Sequence, residues 1–338
     1  MKFIAIGRTE ILLESVTNLI SEGHELLLMI TCPSEQYQYE KNENDFINFC
    51  KKIDVDCIVT NDLNSENILK KIEHLNPDIG ISYNWKTLIR EKAIEIFPFG
   101  ILNSHSGDIP KYKGNAVRNW AIISGEKRMA LTIHLMTENL DNGPIIIKKY
   151  YKINGETTIQ NLYDFVSEQT PNLFLDAVNG LESGEIKPIM PSKKSEEHLR
   201  CYPRIPSDGE IDWNSSAEEI DRLVRAPSSP FKGSYTFLDY KKLIIWEASV
   251  FEPKFEYLAI PGQVVERRIK TGEVLVSTGS NFLVIKKATL DGEKDILKPT
   301  EIIKTIRTRL GLIDTSIFNM NLRIEKIENI LNEMKGGE

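Results

Sequence analysis

The sequence predicts an α/β protein with a mostly parallel, Rossmann-like domain, then a small open β-barrel of OB-like type, then a helical tail. Three observations carry the prediction. Through the first half, short apolar runs alternate with segments of helical period, the pattern of strands and crossover helices in a parallel sheet. A stretch rich in Pro, Ser and charge, Pro188 to Pro206, then reads as a linker. Beyond it the apolar period is mainly two, in short runs broken by Gly and Pro turns. A chain of 338 residues has the length of roughly two domains, each able to bury a core. The pattern puts the first domain at residues 1–190, the linker at 191–206, the barrel at 207–298 and the tail at 299–338.

Lys2 to Gly7 is the first strand, and Ile11, Leu12, Val16, Leu19 and Ile20 then share one helix face. Leu26 to Ile30 is the second strand and Cys57 to Thr60 the third. Ser65 can cap a helix with Ile68, Leu69, Ile72 and Leu75 inward, and Pro77 closes it ahead of the strand Asp78 to Ser82. Another helix turns Leu88, Ile89, Ala93 and Ile94 inward until Pro98 stops it. The strand Phe99 to Asn103 follows at once, placing Asn103 and His105 at its carboxyl end, where open α/β sheets bind ligands. In the second half Ser216 to Ala226 is a short helix. The strands Ser234 to Leu238, Lys242 to Val250, Gly262 to Val265, Glu273 to Ser277 and Phe282 to Ile285 come after it. Leu322, Ile324, Ile327, Ile330 and Leu331 give the tail a loose helical period, suited to packing on the barrel or to pairing with a second subunit as a homodimer.

A net charge of −7 argues against holding nucleic acid by neutralising phosphates, which needs clustered Lys and Arg. No apolar run reaches the roughly 20 residues of a membrane helix, and none at the start suits a signal peptide, so a soluble cytoplasmic protein is expected. Cys32, Cys50, Cys57 and Cys201 form no CxxC pair and no zinc spacing; reduced, buried thiols and no metal are expected.

Chemistry concentrates in two loops. Asn103 and His105 stand two residues apart on one strand face, ahead of a loop shaped by Gly107, Pro110 and Gly114. After the strand Leu131 to Met136, Asp141 stands before the Asn142 to Pro144 turn, placed to reach the imidazole if both loops share one sheet edge. Acyl transfer from an amide-like donor to an amine needs a base, a donor for the developing oxyanion and a group that orients the base. His, Asn and Asp supply these roles. Separately each has a plainer role, as a structural His, a loop-capping Asn and a turn Asp; their joint placement favours the catalytic one.

These residues resemble the pattern of the folate-dependent formyltransferases: an Asn-x-His, a Pro-x-Tyr-Arg-Gly run just after it, and an Asp-x-Gly some thirty-five residues on. Asp212 and Trp213, Val224 to Ala226, Phe231 to Thr236, and Pro261 with Gly262 extend the resemblance into the barrel of the longer members. It covers about residues 1 to 295. The resemblance implies His105 as general acid/base, supported by Asn103 and Asp141, and N10-formyltetrahydrofolate as formyl donor. It also implies a pterin pocket from Thr87, Leu88, Ile89, Thr137, Glu138, Asn139 and Leu140, with Asn115 beside them. Three positions depart from the pattern: Gly107 and Asp108 partly replace an apolar pair, and Lys113 replaces the Arg.

For the acceptor, the relevant comparison is the loop after the second strand, which is basic in methionyl-tRNA formyltransferases resembling this chain. Here Pro33 to Asp45 is acidic and aromatic, poorly suited to gripping phosphates. The run Cys201 to Arg204 is similar to one in enzymes that formylate the 4-amine of a UDP- or dTDP-linked dideoxyhexose. A nucleotide-linked aminosugar is therefore the expected acceptor, with Lys111, Lys113, Arg118 and Arg225 as candidate cations and Tyr112 or Trp120 as the candidate ring. Methionyl-tRNA formylation and formyl-folate hydrolysis, with water in place of the amine, are the alternatives.

Overall fold

The computed structural model describes residues 1–33, 42–239, 241–312, 320 and 323–328. They divide into two compact units. One comprises Met1–Ala121, Glu126–Asn154 and Asn161–Pro203; the other comprises Ile122–Gly125, Gly155–Gln160 and the chain from Arg204.

The first unit begins with β1 (Lys2–Gly7), α1 (Glu10–Ser21), β2 (Glu25–Thr31), α2 (Glu43–Lys52), β3 (Asp56–Val59), α3 (Glu66–Leu75), β4 (Ile79–Tyr83), α4 (Glu91–Ile94) and β5 (Ile101–His105). There follow a two-residue strand β6 (Lys113–Gly114), α5 (Val117–Ile123), the antiparallel pair β7 (Arg128–Leu135) and β8 (Ile145–Lys152), the long α6 (Ile159–Ser183), and β9 (Arg200–Cys201). The sheet runs β3-β2-β1-β4-β5-β7-β8, parallel through β5 and antiparallel beyond. Phe3, Ile4, Ala5 and Ile6 are all fully buried, as expected of a strand covered on both faces. One core cluster gathers Ile4, Ile6, Leu28, Ile30, Ile72, Ile89, Phe97 and Ile101, and Trp85 and Met136 pack against it.

Two local expectations change. The helix expected to turn Leu88 inward is a single turn, Glu91–Ile94, and Leu88 is 58% exposed. The Asn64 side chain explains this: its amide donates to the Leu88 carbonyl and accepts from Arg90 N–H, each at 2.8 Å, and so holds that backbone extended. Ser65 does stand at the N-cap of α3, but its hydroxyl donates to the Asp62 carbonyl at 3.3 Å and makes no capping bond. Helix α2 begins where an acidic loop was expected, with Asn42 and Asp45 forming a capping box; residues 34–41 of that loop lie outside the described residues.

The second unit opens with α7 (Ala217–Arg225), capped by Ser216 and Glu219 in a reciprocal box. Five antiparallel strands follow: β10 (Ser234–Leu238), β11 (Lys241–Phe251), β12 (Val264–Arg268), β13 (Glu273–Ser277) and β14 (Phe282–Leu290). They are ordered β10-β11-β14-β13-β12. Ile220 and Val224 of α7 join Leu243, Ile245, Val276, Leu283 and Ile285 in one core, so the inward half of each alternating strand has a helix to pack on. The short α8 (Pro299–Ile302) comes next. Of the tail residues expected to form a helix face, Leu322, Ile330 and Leu331 lie outside the described residues, and Ile324 and Ile327 are exposed. Among the described residues no helix is long and apolar enough to cross a membrane.

Candidate active site

β5 ends on His105, with Asn103 two residues earlier on the same face. β7 runs antiparallel to it, setting His134 opposite Asn103 and Thr132 opposite His105. Hence the loop after β7 does not leave at the carboxyl edge, as expected from sequence. It starts opposite Leu102 and doubles back, Leu135 N–H donating to the Pro144 carbonyl at 2.8 Å. Gly143 makes the return possible: a Cβ there would stand 1.8 Å from the Leu135 carbonyl oxygen. Asp141 takes a left-handed φ of 46°, a conformation that Asp tolerates better than most side chains.

The turn aims the Asp141 carboxylate at three groups. Oδ2 accepts Gly114 N–H at 2.8 Å and lies 3.5 Å from His105 Nδ1, and Oδ1 lies 3.7 Å from His134 Nε2. His105 Nε2 is 2.6 Å from the Tyr112 carbonyl oxygen. A carbonyl can only accept, so Nε2 carries a proton, and Nδ1 is the nitrogen that faces Asp141. Gly107 is essential to this contact, because a Cβ there would lie 2.2 Å from the Tyr112 oxygen and 2.5 Å from Nε2.

His134 was not singled out from the sequence, where it reads as one more residue of a buried strand. It is 2% exposed, and burial, with His105 nearby, pushes its pKa down to about 4 despite the opposing pull of Asp141. The ring is therefore neutral near pH 7. Its Nδ1 lies 2.9 Å from the Leu135 carbonyl and must donate, which leaves Nε2 to accept the Asn103 Nδ2–H at 3.2 Å. That contact assigns the Asn103 amide its orientation. The available signal was its register position: a strand residue 31 positions on, facing Asn103.

The candidate acceptor residues separate. Tyr112 has a buried ring, a left-handed φ of 57° and a hydroxyl donating to Glu126 at 2.7 Å, so the site meets its carbonyl and not its ring. Lys113 Nζ donates to Asn142 Oδ1 at 2.5 Å and lies 3.3 Å from His198 Nδ1; burial lowers its pKa while Asp141 opposes the shift. Pairing of β6 with β9 sets Lys113 beside Arg200. Beyond β9, Tyr202 is 62% exposed with the Arg200 guanidinium 5.2 Å over its ring, and Trp120 donates to the Tyr202 carbonyl. His198 and Arg200 were missed, lying in what read as a linker; Tyr202 lies in the Cys201 to Arg204 run noted from the sequence, but its exposed ring was not singled out. Arg118 lies 3.8 Å over the Tyr163 ring, and Lys111 is exposed. Arg225 belongs to the second unit, where its guanidinium is committed to Asp221 at 2.9 Å and to the Thr157 carbonyl at 2.7 Å.

The candidate pterin residues lie on the loops after β4 and β7. Both loops reach one core cluster, Trp85 and Ile89 from the first and Met136 from the second. Leu88 and Leu140 are 58% and 48% exposed, while Ile89 is buried in the cluster and cannot offer a surface. Thr87 donates to the Asn61 carbonyl and Thr137 to the Asn139 carbonyl, each at 3.1 Å. Glu138, Asn139 and Asn115 are exposed, and Asn115 N–H donates to the Cys201 carbonyl. Exposed leucines on two converging loops, with the buried Trp85 N–H and Ser82 hydroxyl left without partners, suit a flat heteroaromatic with polar edges.

The structure thus brings together the Asn103 amide, the His105 imidazole and the Asp141 carboxylate, the kinds of group that acyl transfer to an amine uses. Residues 1–178 match the family described as formyl transferase, and residues 205–307 match its C-terminal domain. The chain belongs to the formyl transferase family, folate-dependent enzymes whose formyl donor is N10-formyltetrahydrofolate. A methionyl-tRNA formyltransferase of Alkaliphilus oremlandii (strain OhILAs) is 29% identical over 297 residues, 87% of this chain and 93% of the relative. A crystal structure of WlaRD, described as a sugar 3N-formyl transferase in the presence of dTDP and 5-N-formyl-THF, matches with a TM-score of 0.64 at 16% identity. It covers 87% of this chain and 99% of its own. HypX from Aquifex aeolicus in complex with tetrahydrofolic acid matches 90% of this chain with a TM-score of 0.57 at 18% identity. This chain spans about half of that one, 47%. The two structural likenesses concern the fold alone.

Proposed function

We propose that the protein transfers the formyl group of N10-formyltetrahydrofolate to the amine of a UDP- or dTDP-linked aminosugar of the 4-amino-dideoxyhexose type, with Asn103, His105 and Asp141 at the reacting centre. The observation that carries the catalytic part is the 2.6 Å contact of His105 Nε2 with the Tyr112 carbonyl, which leaves Nδ1 as the base beside Asp141. The donor supplies the formyl group as an activated amide. As the amine nitrogen bonds to the formyl carbon, Nδ1 takes the amine proton. It returns that proton to N10 as the C–N10 bond breaks and tetrahydrofolate leaves, with Asp141 beside Nδ1 supporting its protonated form. Asn103, with one N–H on His134, keeps its second N–H for the developing oxyanion. The segments 87–89 and 137–140 would hold the pterin, chiefly through Leu88 and Leu140.

The acceptor rests on a different set of residues. Lys113, Arg200 and the exposed ring of Tyr202, on or beside the paired strands β6 and β9, offer cations and a stacking face to a nucleoside diphosphate. The chain's negative charge disfavours a long nucleic-acid contact. Methionyl-tRNA formylation is the second reading, favoured by the 29% identity to the Alkaliphilus oremlandii relative.

The catalytic reading is tested by single-turnover rates of folded variants. His105→Ala and Asp141→Asn are expected to lose roughly 10²- to 10⁴-fold, the range of a general base and its support. Asn103→Ala is expected to lose about 10²- to 10³-fold, as for one oxyanion donor. Wild-type rates in all three would remove the trio from the chemistry.

A further inference from the structure

The loop that returns to His105 is tied down at three consecutive residues, and the shortest ties come from a single row of the sheet. In register, His105 on β5 faces Thr132 on β7, and Thr132 faces Lys148 on β8. Residues directly opposite on antiparallel strands project from the same face. The fully buried Thr132 donates its hydroxyl to the Gly107 carbonyl at 2.7 Å. Lys148 Nζ donates to Asp108 Oδ1 at 2.6 Å and to the Ile109 carbonyl at 2.7 Å. Tyr150 adds a 3.3 Å hydroxyl bond to the same carboxylate oxygen, and Arg128 stands 3.5 Å from the other. The Lys148 side chain is 19% exposed against 60% for Arg128, so Lys148 is the tie least screened by water.

This loop needs restraint. Tyr112 and Ala116 both hold left-handed φ angles, 57° and 52°, which persist only where the surroundings over-determine them. What the loop delivers is the Tyr112 carbonyl on His105 Nε2. Asp108 stands where the family resemblance leads one to expect an apolar residue, so its ion pair with Lys148 is a feature of this chain.

We propose that Lys148 is a positioning residue for formyl transfer, acting through Asp108 and Ile109 to hold the loop whose Tyr112 carbonyl keeps His105 in the tautomer with Nδ1 as base. The proposal rests on the reading of His105 as that base. Three independent readouts test it: kcat and KM with N10-formyltetrahydrofolate and a dTDP-linked 4-amino-4,6-dideoxyhexose, the pH dependence of kcat, and the His105 tautomer from ¹⁵N spectra of the full chain. Lys148→Met is expected to lower kcat by roughly 10- to 100-fold, the size of effect a small misplacement of a reacting group produces. The donor KM is expected to stay unchanged, the pH profile to move and the two tautomers to mix. Lys148→Arg, which can still reach both acceptors, is expected to restore most of the rate. Asp108→Asn, which leaves the bond from Lys148 to Ile109 in place, is expected to change the same readouts less; it serves as the test should Lys148→Met not fold. A Lys148→Met protein that melts earlier yet keeps the wild-type kcat, pH profile and tautomer would overturn the proposal. His105→Ala with full turnover would instead overturn the underlying reading of the base, whatever Lys148 does.

Discussion

Two carbonyl groups set the chemistry of the site. Tyr112 O holds a proton on His105 Nε2, and Leu135 O holds one on His134 Nδ1, so Nδ1 of one imidazole faces Asp141 and Nε2 of the other accepts from Asn103. For His134 the pH consequence follows from its burial. The unfolded chain takes up that proton near pH 6.5, and the folded one only near 4. The folded pKa is lowered, so this stabilising contribution is complete above pH 6.5 and is lost as pH falls towards 4. His134→Gln, which removes the titration, is expected to flatten the unfolding free energy across that window; denaturant titrations at a series of pH values would read it, and an unchanged slope would contradict the burial argument. Asn103, His105 and Asp141 were legible because their types and order form a recognisable pattern. His134 was not, since a histidine in an apolar strand has no distinctive neighbours until the strand register sets it against Asn103.

At the scale of the element, the sequence pattern located most of the strands, passed over β8 and the long α6, and misjudged what happens at strand ends. β1 agrees with its expected bounds, because a continuous apolar run ending in glycine has few other readings. The segment after β4 was read as one helix because its apolar spacing fits one, whereas the Asn64 side chain, 24 residues before Leu88, holds that backbone extended. The direction of β7 is likewise invisible in periodicity, and it changes how Asp141 arrives: by a loop doubling back through Gly143. Gly143→Ala is therefore expected to abolish turnover while leaving the β-sheet far-UV signal intact, with a near-wild-type rate contradicting the need for that turn. In the second unit, Ser216→Ala removes the side-chain half of the α7 capping box and is expected to cost about 1 kcal/mol in a denaturant melt. A change below the error of the melt would mean that packing against β11 and β14 alone fixes the helix.

For the whole molecule, charge and family pull the acceptor in different directions. Membership of the formyl transferase family fixes the donor and the type of reaction, and the family includes relatives named for tRNA. An acidic chain that binds only a diphosphate is expected to show a KM for acceptor that rises less than about tenfold between 50 and 200 mM salt. A grip on 6 to 10 phosphates would weaken by roughly 10³ or more over the same range. Fold class could be read from the alternation of periods. The place of Arg200 could not, since it stands beside Lys113 only through the pairing of β9 with β6; of that region the sequence offered only the Cys201 to Arg204 run.

The most direct test is a competition: N10-formyltetrahydrofolate and the full chain with UDP- and dTDP-linked 4-amino and 3-amino sugars, with methionyl-tRNA, and with no amine, each product weighed by mass spectrometry. The account predicts a gain of one formyl unit on a 4-amino sugar nucleotide. Formylation of methionyl-tRNA alone, or formate released equally with and without amine, would contradict it.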